Sequence, residues 1–244
     1  MLMKRSGNTA VITVLAMFFG IGVICYAASR IDRTGNAVYV STVLDTSTMI
    51  VLDAGHGGID GGCSTADGIP EKGINLDIML SVRDMSVIFG YSTVTTRDTD
   101  MSIHDSDAEG IRAQKISDME NRLEIFNKFP DAVCLSIHQN TYTDPKFNGA
   151  QMFYSKTNPE SAHLASIMQG LFKDNLQPYN DRETKLCGNE LYLCHFCKNP
   201  AVMAECGFLS NPDEAAKLTD PEYRCKVAFT LFEGLNRFIT ERKR

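Results

Sequence analysis

Between Met49 and Ile137, short apolar runs alternate with longer segments of helical period, and this alternation restricts the chain to a layered α/β architecture. Met49-Ile50-Val51-Leu52 reads as a buried strand ended by a glycine-rich turn from Gly55 to Gly62. From Lys72 to Phe89, the residues Ile74, Ile78, Val82, Met85 and Phe89 recur at three- and four-residue steps, which predicts an amphipathic helix with Glu71 at its entrance. Ser92-Thr93-Val94-Thr95-Thr96 predicts the next strand, and a polar loop opens at Arg97. A second helix carries Ile116, Met119, Leu123 and Phe126, and the run 131–137 predicts a strand that stops at His138. Further strands are expected at 151–154 and at 201–204, the latter ending at Glu205, with a short edge strand at Leu191-Tyr192-Leu193. Helices are expected through Leu164, Ile167, Met168, Leu171 and Phe172, and from Pro221 to Thr240. Helix-length crossovers force neighbouring strands to run in one direction. The expected fold is therefore a single α/β domain, with a mainly parallel or mixed twisted sheet flanked by helices on both faces.

The segment preceding this pattern is of another kind. No charge falls between Arg5 and Arg30, and residues 10–28 form an apolar run of 19 residues. A helix of that length rises about 28 Å, close to the roughly 30 Å hydrocarbon core of a bilayer. Residues 1–29 are accordingly expected to be a signal-anchor, with Lys4 and Arg5 holding its start in the cytoplasm and the rest of the chain outside. A cleaved signal peptide is the alternative, with a weak small-residue site around Cys25-Tyr26-Ala27-Ala28. Residues 30–47 read as a linker and 48–244 as the catalytic domain. The chain carries −6 in all, and its first 47 residues hold four basic and two acidic side chains, so the domain carries −8. Such a balance excludes a partner read through its phosphate backbone, and no nucleic acid is expected. Eight cysteines would suggest a disulfide framework in an exported protein, but Cys25 lies in the apolar run and the remaining seven cannot all pair within one chain.

Chemistry concentrates where apolar runs stop, because an open α/β sheet builds its sites beyond the C-terminal ends of its strands. His56, His138 and Glu205 share that placement and could converge along one sheet edge. Two imidazoles and a carboxylate suit zinc and leave a fourth tetrahedral position open, and a second carboxylate could serve as acid–base group. Each residue also has a plainer reading. His56 could be only a turn residue, Glu71 a carboxylate favoured by the helix dipole, and Glu205 a strand-end acid bonded to backbone amides. The glycine-rich turn does not carry a dinucleotide fingerprint, since Asp60 stands where glycine or alanine is needed, and no Gly-Lys-Ser/Thr follows for a P-loop. Cys194-His195-Phe196-Cys197, with Cys187 upstream, is half of a structural zinc pattern without its second pair. His104 and His163 read as surface or loop histidines.

Together, Leu52-Asp53-Ala54-Gly55-His56-Gly57-Gly58, the Glu71-Lys72 step into a helix, Ser136-Ile137-His138-Gln139-Asn140, and the run from Glu205-Cys206-Gly207-Phe208 to Pro212 resemble the zinc-dependent N-acetylmuramoyl-L-alanine amidases of bacterial cell-wall metabolism. The likeness spans about Met49 to Phe238, with alanine at Ala54 where members often have proline. It implies that His56, Glu71 and His138 hold Zn2+ and that Glu205 is the catalytic carboxylate. The implied reaction cuts the amide between the lactyl group of muramic acid and L-alanine, with peptidoglycan glycan strand and stem peptide as substrate. Short length, the anchor and the stretch Asn148-Gly149-Ala150-Gln151-Met152-Phe153-Tyr154 resemble the membrane-anchored spore-cortex branch. That branch implies stem-peptide removal ahead of muramic-δ-lactam formation, a pathway link to a muramic acid deacetylase, and a location in the forespore intermembrane space. An accessory exported protein is a further candidate partner. A vegetative cell-separation amidase, a zinc peptidase cutting within the stem peptide, and a catalytically silent peptidoglycan-binding or activator protein are the competing readings.

Overall fold

A computed structural model describes residues 48–243. The expected anchor and linker lie outside the described residues, and among those described no helix is long and apolar enough to cross a membrane. The elements alternate as the sequence predicts. β1 (Met49–Ala54) is followed by α1 (Glu71–Ile88), β2 (Ser92–Thr95), α2 (Ile111–Lys128) and β3 (Val133–Asn140). Then come β4 (Gln151–Tyr154), α3 (Glu160–Asn175), β5 (Lys185–Leu186), α4 (Tyr192–Phe196), β6 (Ala201–Phe208), α5 (Pro212–Thr219) and α6 (Pro221–Arg242).

The six strands form one sheet in the order β2-β1-β3-β6-β4-β5. β2, β1, β3 and β6 run parallel, while β4 pairs antiparallel with β6 and carries β5 parallel to itself at the far edge. The sheet is mixed because the loop from β3 to β4 is too short for a helical crossover, whereas every parallel step is bridged by at least one helix. Strand alternation divides the core into two layers. Ile50, Leu52, Leu135, Ile137, Val202 and Ala204 face α1, α3 and α6, where Ile78, Met168 and Leu231 meet them. Val51, Cys134 and Ala201 face the other way, onto Phe126 of α2 and Leu193 at α4.

Three local expectations change. Leu191-Tyr192-Leu193 is not an edge strand: Leu191 caps the five-residue helix α4, whose Leu193 and Cys194 are buried, and the edge position is taken by Lys185–Leu186. β3 and β6 continue past His138 and Glu205 to Asn140 and Phe208, because their ladder carries on across a bulge between His138 and Asn140. α5 was not expected, and its start is local chemistry: the Asn211 side chain accepts from the backbone N–H groups of Asp213 and Glu214, with Pro212 just inside the helix.

The described cysteines are all free; six are buried or half-buried and behave as small hydrophobes, while Cys225 is exposed. Cys134 on β3 and Cys197 after α4 sit in the same apolar layer, and Cys194, Cys187 and Met203 form a small layer beside it, so these residues pack and do not make a zinc site. Leu135 is fully buried at the centre of the parallel strands. Leu135→Ala is expected to cost about 2–5 kcal/mol, read as a fall in the urea midpoint with the slope unchanged; a midpoint within error of wild type would place the core elsewhere.

Candidate metal centre

The turn after β1 is held in shape by buried charge. Asp53, 1 % exposed, accepts from Arg122 Nη1 at 2.6 Å, from Ser136 Oγ at 2.6 Å and from Thr96 Oγ1 at 2.7 Å. Burial alone would raise the Asp53 pKa, but the Arg122 charge, with His138 and the two hydroxyls, holds it below the ordinary carboxylate value. Arg122 also donates to the carbonyls of Ala54 and His56, both at 2.8 Å, and to Asp118 Oδ2 at 2.7 Å. Arg97 donates to Ala54 O at 2.9 Å and to Gly55 O at 3.0 Å. Two guanidinium groups thus satisfy the carbonyls that leave the sheet at this point, and they fix His56 at φ +63°, a left-handed conformation that costs a β-carbon residue about 1–2 kcal/mol.

That conformation turns the His56 ring towards Glu71. Glu71 is the first residue of α1 and is buried, and its carboxylate spans two imidazoles: Oε2 lies 3.3 Å from His56 Nε2 and Oε1 lies 3.1 Å from His138 Nδ1. The backbone N–H groups of Cys63 and Gln139 each donate to it at 3.0 Å, as does Asn75 Nδ2 one helical turn on. Burial opposes its ionisation, yet the hydrogen bonds and charges of His138 and His56 hold its pKa far below the ordinary carboxylate range. The same partners act on His56. Burial lowers its pKa, but Glu71 and Asp60 outweigh that and raise it to about 9.

Ligand atoms of His56, Glu71 and His138 lie within 4.8 Å of one another, and among the described residues this is the group of His, Cys, Asp or Glu side chains placed to hold a metal ion. The surroundings fit such an ion. A β-carbon on Gly55 would run into the His138 ring, and one on Gly62 would lie 2.5 Å from Glu71 Oε2 and 2.7 Å from His56 Cδ2, so both positions need glycine for the three side chains to approach. His56 Nδ1 is 2.9 Å from Asp60 Oδ2, which leaves Nε2 to face the centre, and Lys115 Nζ holds the other Asp60 oxygen at 2.9 Å. Cys63 is close by but its thiol is turned to Gln139 O at 3.5 Å, so it does not join the set.

Glu205 is brought to the same place by register. His138 on β3 and Glu205 on β6 are direct partners, so their side chains stand side by side on one face of the sheet. Glu205 Oε2 is buried without a hydrogen-bond partner, an oxygen waiting for something the protein does not supply. Burial raises the Glu205 pKa to about 7, against the pull of His138 and His56 and with a push from Glu71. His56, His138 and Glu205 line a pocket of about 310 Å³, walled by α2 through Gln114, Lys115 and Met119 and by the segment from Glu190 to Leu193. His104 and His163 are elsewhere, the first bonded to Ser102 Oγ in a loop and the second paired on the surface with Glu241. The sequence reading missed the second ring of residues, Asp53, Arg97, Arg122, Asp60 and Asn75; an aspartate inside an apolar strand was the available signal for the first.

The family model for N-acetylmuramoyl-L-alanine amidase matches residues 50–237. The chain belongs to the N-acetylmuramoyl-L-alanine amidase family. It is an enzyme of that class. A germination-specific N-acetylmuramoyl-L-alanine amidase of Bacillus subtilis is 32% identical over 194 residues, covering 80% of this chain and 81% of the relative. The structure of the CwlD amidase from Clostridioides difficile in complex with the GerS lipoprotein is similar at 35% identity and a TM-score of 0.76, covering 79% of this chain and 98% of that one. AmiC2 of Nostoc punctiforme, at 22% identity and a TM-score of 0.65 over 79% of this chain and 97% of that one, shares the fold. Because Arg122 pairs with Asp53 beneath the amidase turn, Arg122→Ala, which leaves Asp53 without its ion-pair partner in the core, is expected to lower stability by about 3–5 kcal/mol. Urea unfolding measures it, and an unchanged midpoint would remove the bracing role.

Proposed function

We propose that this amidase is zinc-dependent and removes stem peptides from peptidoglycan during spore-cortex maturation, ahead of muramic-δ-lactam formation. The observation that carries the reading is Glu71, whose buried carboxylate bridges two imidazoles beside the unpartnered oxygen of Glu205. His56, Glu71 and His138 would hold the ion. Two nitrogen donors and one oxygen suit zinc, which when bound would supply a Lewis acid beside the scissile carbonyl. Asp60 keeps the His56 ring oriented, and Lys115 holds Asp60. Glu205 is the acid–base group: it takes a proton from the attacking water, the lactyl–alanine C–N bond breaks, and the proton passes to the amine of L-alanine. A pKa raised to about 7 suits a group that must accept and return a proton near neutrality.

The similarity to a germination-specific relative supports the cortex role. A solved relative in complex with a lipoprotein supports an accessory exported protein as partner. The remaining parts rest on the sequence reading and on the resemblance to the spore-cortex branch: residues 1–29 anchor the chain, 30–47 link it to the catalytic domain, and the site works outside the membrane in the forespore intermembrane space, in a pathway linked to a muramic acid deacetylase. A cell-separation amidase would use the same site. A catalytically silent binder is disfavoured because every one of the four site residues is present and assembled.

Two outcomes are expected. Glu205→Gln keeps zinc, seen by metal analysis, while stem-peptide release from peptidoglycan falls by about 10²–10⁴-fold in mass spectrometry of the digest; release at the wild-type rate would end the role given to Glu205. In the metal-free protein His56 is protonated below a pKa of about 9, and the ion needs it neutral. Apparent zinc affinity should therefore rise with pH, by roughly tenfold per pH unit from the His56 proton as long as the pH stays below its raised pKa. Competition against a chelator at several pH values measures this, and a flat profile would contradict the assignment of His56.

A further inference from the structure

Beside Glu205, on the side away from β3, a cation stands on an aromatic shelf that the proposed chemistry does not use. Gln151, the first residue of β4, is the direct cross-strand partner of Glu205. Its Oε1 accepts from Arg182 Nη1 at 3.2 Å, and Arg182 Nε donates to Asn148 O at 2.8 Å. The guanidinium lies over the Phe208 ring, 4.7 Å from its centroid, and 5.8 Å from that of Phe147. Phe147 in turn packs edge-on against Tyr142 at 4.6 Å, and these two rings are 42 % and 54 % exposed.

Arg182 has no ion-pair partner among the described residues. Glu214 is the acid whose charge acts on it, and that carboxylate is committed elsewhere: it accepts from Gly149 N at 2.9 Å, Phe208 N at 2.8 Å and Tyr179 Oη at 3.3 Å. Half-burial of the guanidinium lowers the Arg182 pKa, so the site holds a partly desolvated cation that lacks an anion. Two of its donors are tied to the scaffold, which fixes the plane of the fork and leaves the rest for a ligand.

Resting on the amidase reading above, we propose that Arg182, set on Phe208 and Phe147, is a specificity-determining residue that binds a carboxylate of the stem peptide. Gln151 faces Glu205 directly across the antiparallel pair and its side chain holds Arg182, so the guanidinium stands one residue to the side of the acid–base group along the sheet. In a stem peptide the second residue bears a carboxylate, about two virtual bonds of roughly 3.8 Å from the scissile amide. The exposed Tyr142 and Phe147 rings shield the ion pair from water and so strengthen it.

The test uses two N-acetylmuramoyl-L-alanyl-D-glutamyl substrates, with the glutamate α-carboxyl free in one and amidated in the other and the γ-carboxyl amidated in both. The full chain should prefer the free acid by about tenfold to hundredfold in kcat/KM. Arg182→Gln should abolish that preference through KM, with kcat kept and the amidated substrate unaffected, while Arg182→Lys retains part of it. Equal loss on both substrates, or a preference unchanged in Arg182→Gln, overturns the proposal. A thermal midpoint for each variant separates loss of fold from loss of recognition. Titration calorimetry with the two peptides lacking the muramoyl group reads the same subsite without cleavage. If wild type cleaves neither substrate, the amidase reading fails, and the subsite still stands or falls on whether the acid peptide binds tighter than its amide to wild type and equally to Arg182→Gln.

Discussion

The site depends on one buried ion pair, Arg122 on Asp53, underneath the turn that leaves β1. A parallel strand that ends in the interior leaves carbonyl groups without partners, and such groups are costly to bury. Arg122 and Arg97 meet those of Ala54, Gly55 and His56, and Asp53 with Asp118 balances the charge of Arg122. Fully buried charges of this kind contribute little net stability, so their value lies in geometry. They hold a histidine in a backbone conformation that it would otherwise leave.

Two carboxylates flanking His138 are driven in opposite directions by their surroundings. Glu71 accepts from two backbone amides, an asparagine and two imidazoles and stays ionised. Glu205, a few ångströms along the sheet, is stripped of water and given no donor, and is held near the midpoint of its titration at neutral pH. Division of labour between them follows from the partners each is given: the anion held by hydrogen bonds and imidazole charge suits ligation of a cation, and the one left buried without a donor on Oε2 suits proton transfer.

Much of this was legible in the sequence because the signals were local. Periodicity placed five of the six strands, and the stopping points of apolar runs marked His56, His138 and Glu205. Glu71 was the hardest of the four, since an acid at a helix start has an ordinary explanation in the helix dipole; only its burial between two imidazoles, a tertiary fact, sets it apart. Leu191-Tyr192-Leu193 has a strand-like composition but forms a helical turn, because its apolar side chains are needed beneath α2 and beside Met203. Asp60, Lys115, Arg97 and Arg182 gave no sign in one dimension. Their partners lie as far as 55 residues away and are chosen by the fold.

His138 and Glu205 face one another on adjacent parallel strands, tied through their own backbone ladder. Neighbouring strands lie about 4.8 Å apart whatever their side chains, so the gap between the proposed metal ligand and the proposed proton carrier is measured by the peptide bond itself. The loops that wall the pocket can therefore lengthen, shorten or acquire new specificities without retuning the chemistry at its floor. What they cannot absorb is a slip of either strand by one residue, which would turn one of the pair to the opposite face of the sheet and leave a folded protein with a divided active site.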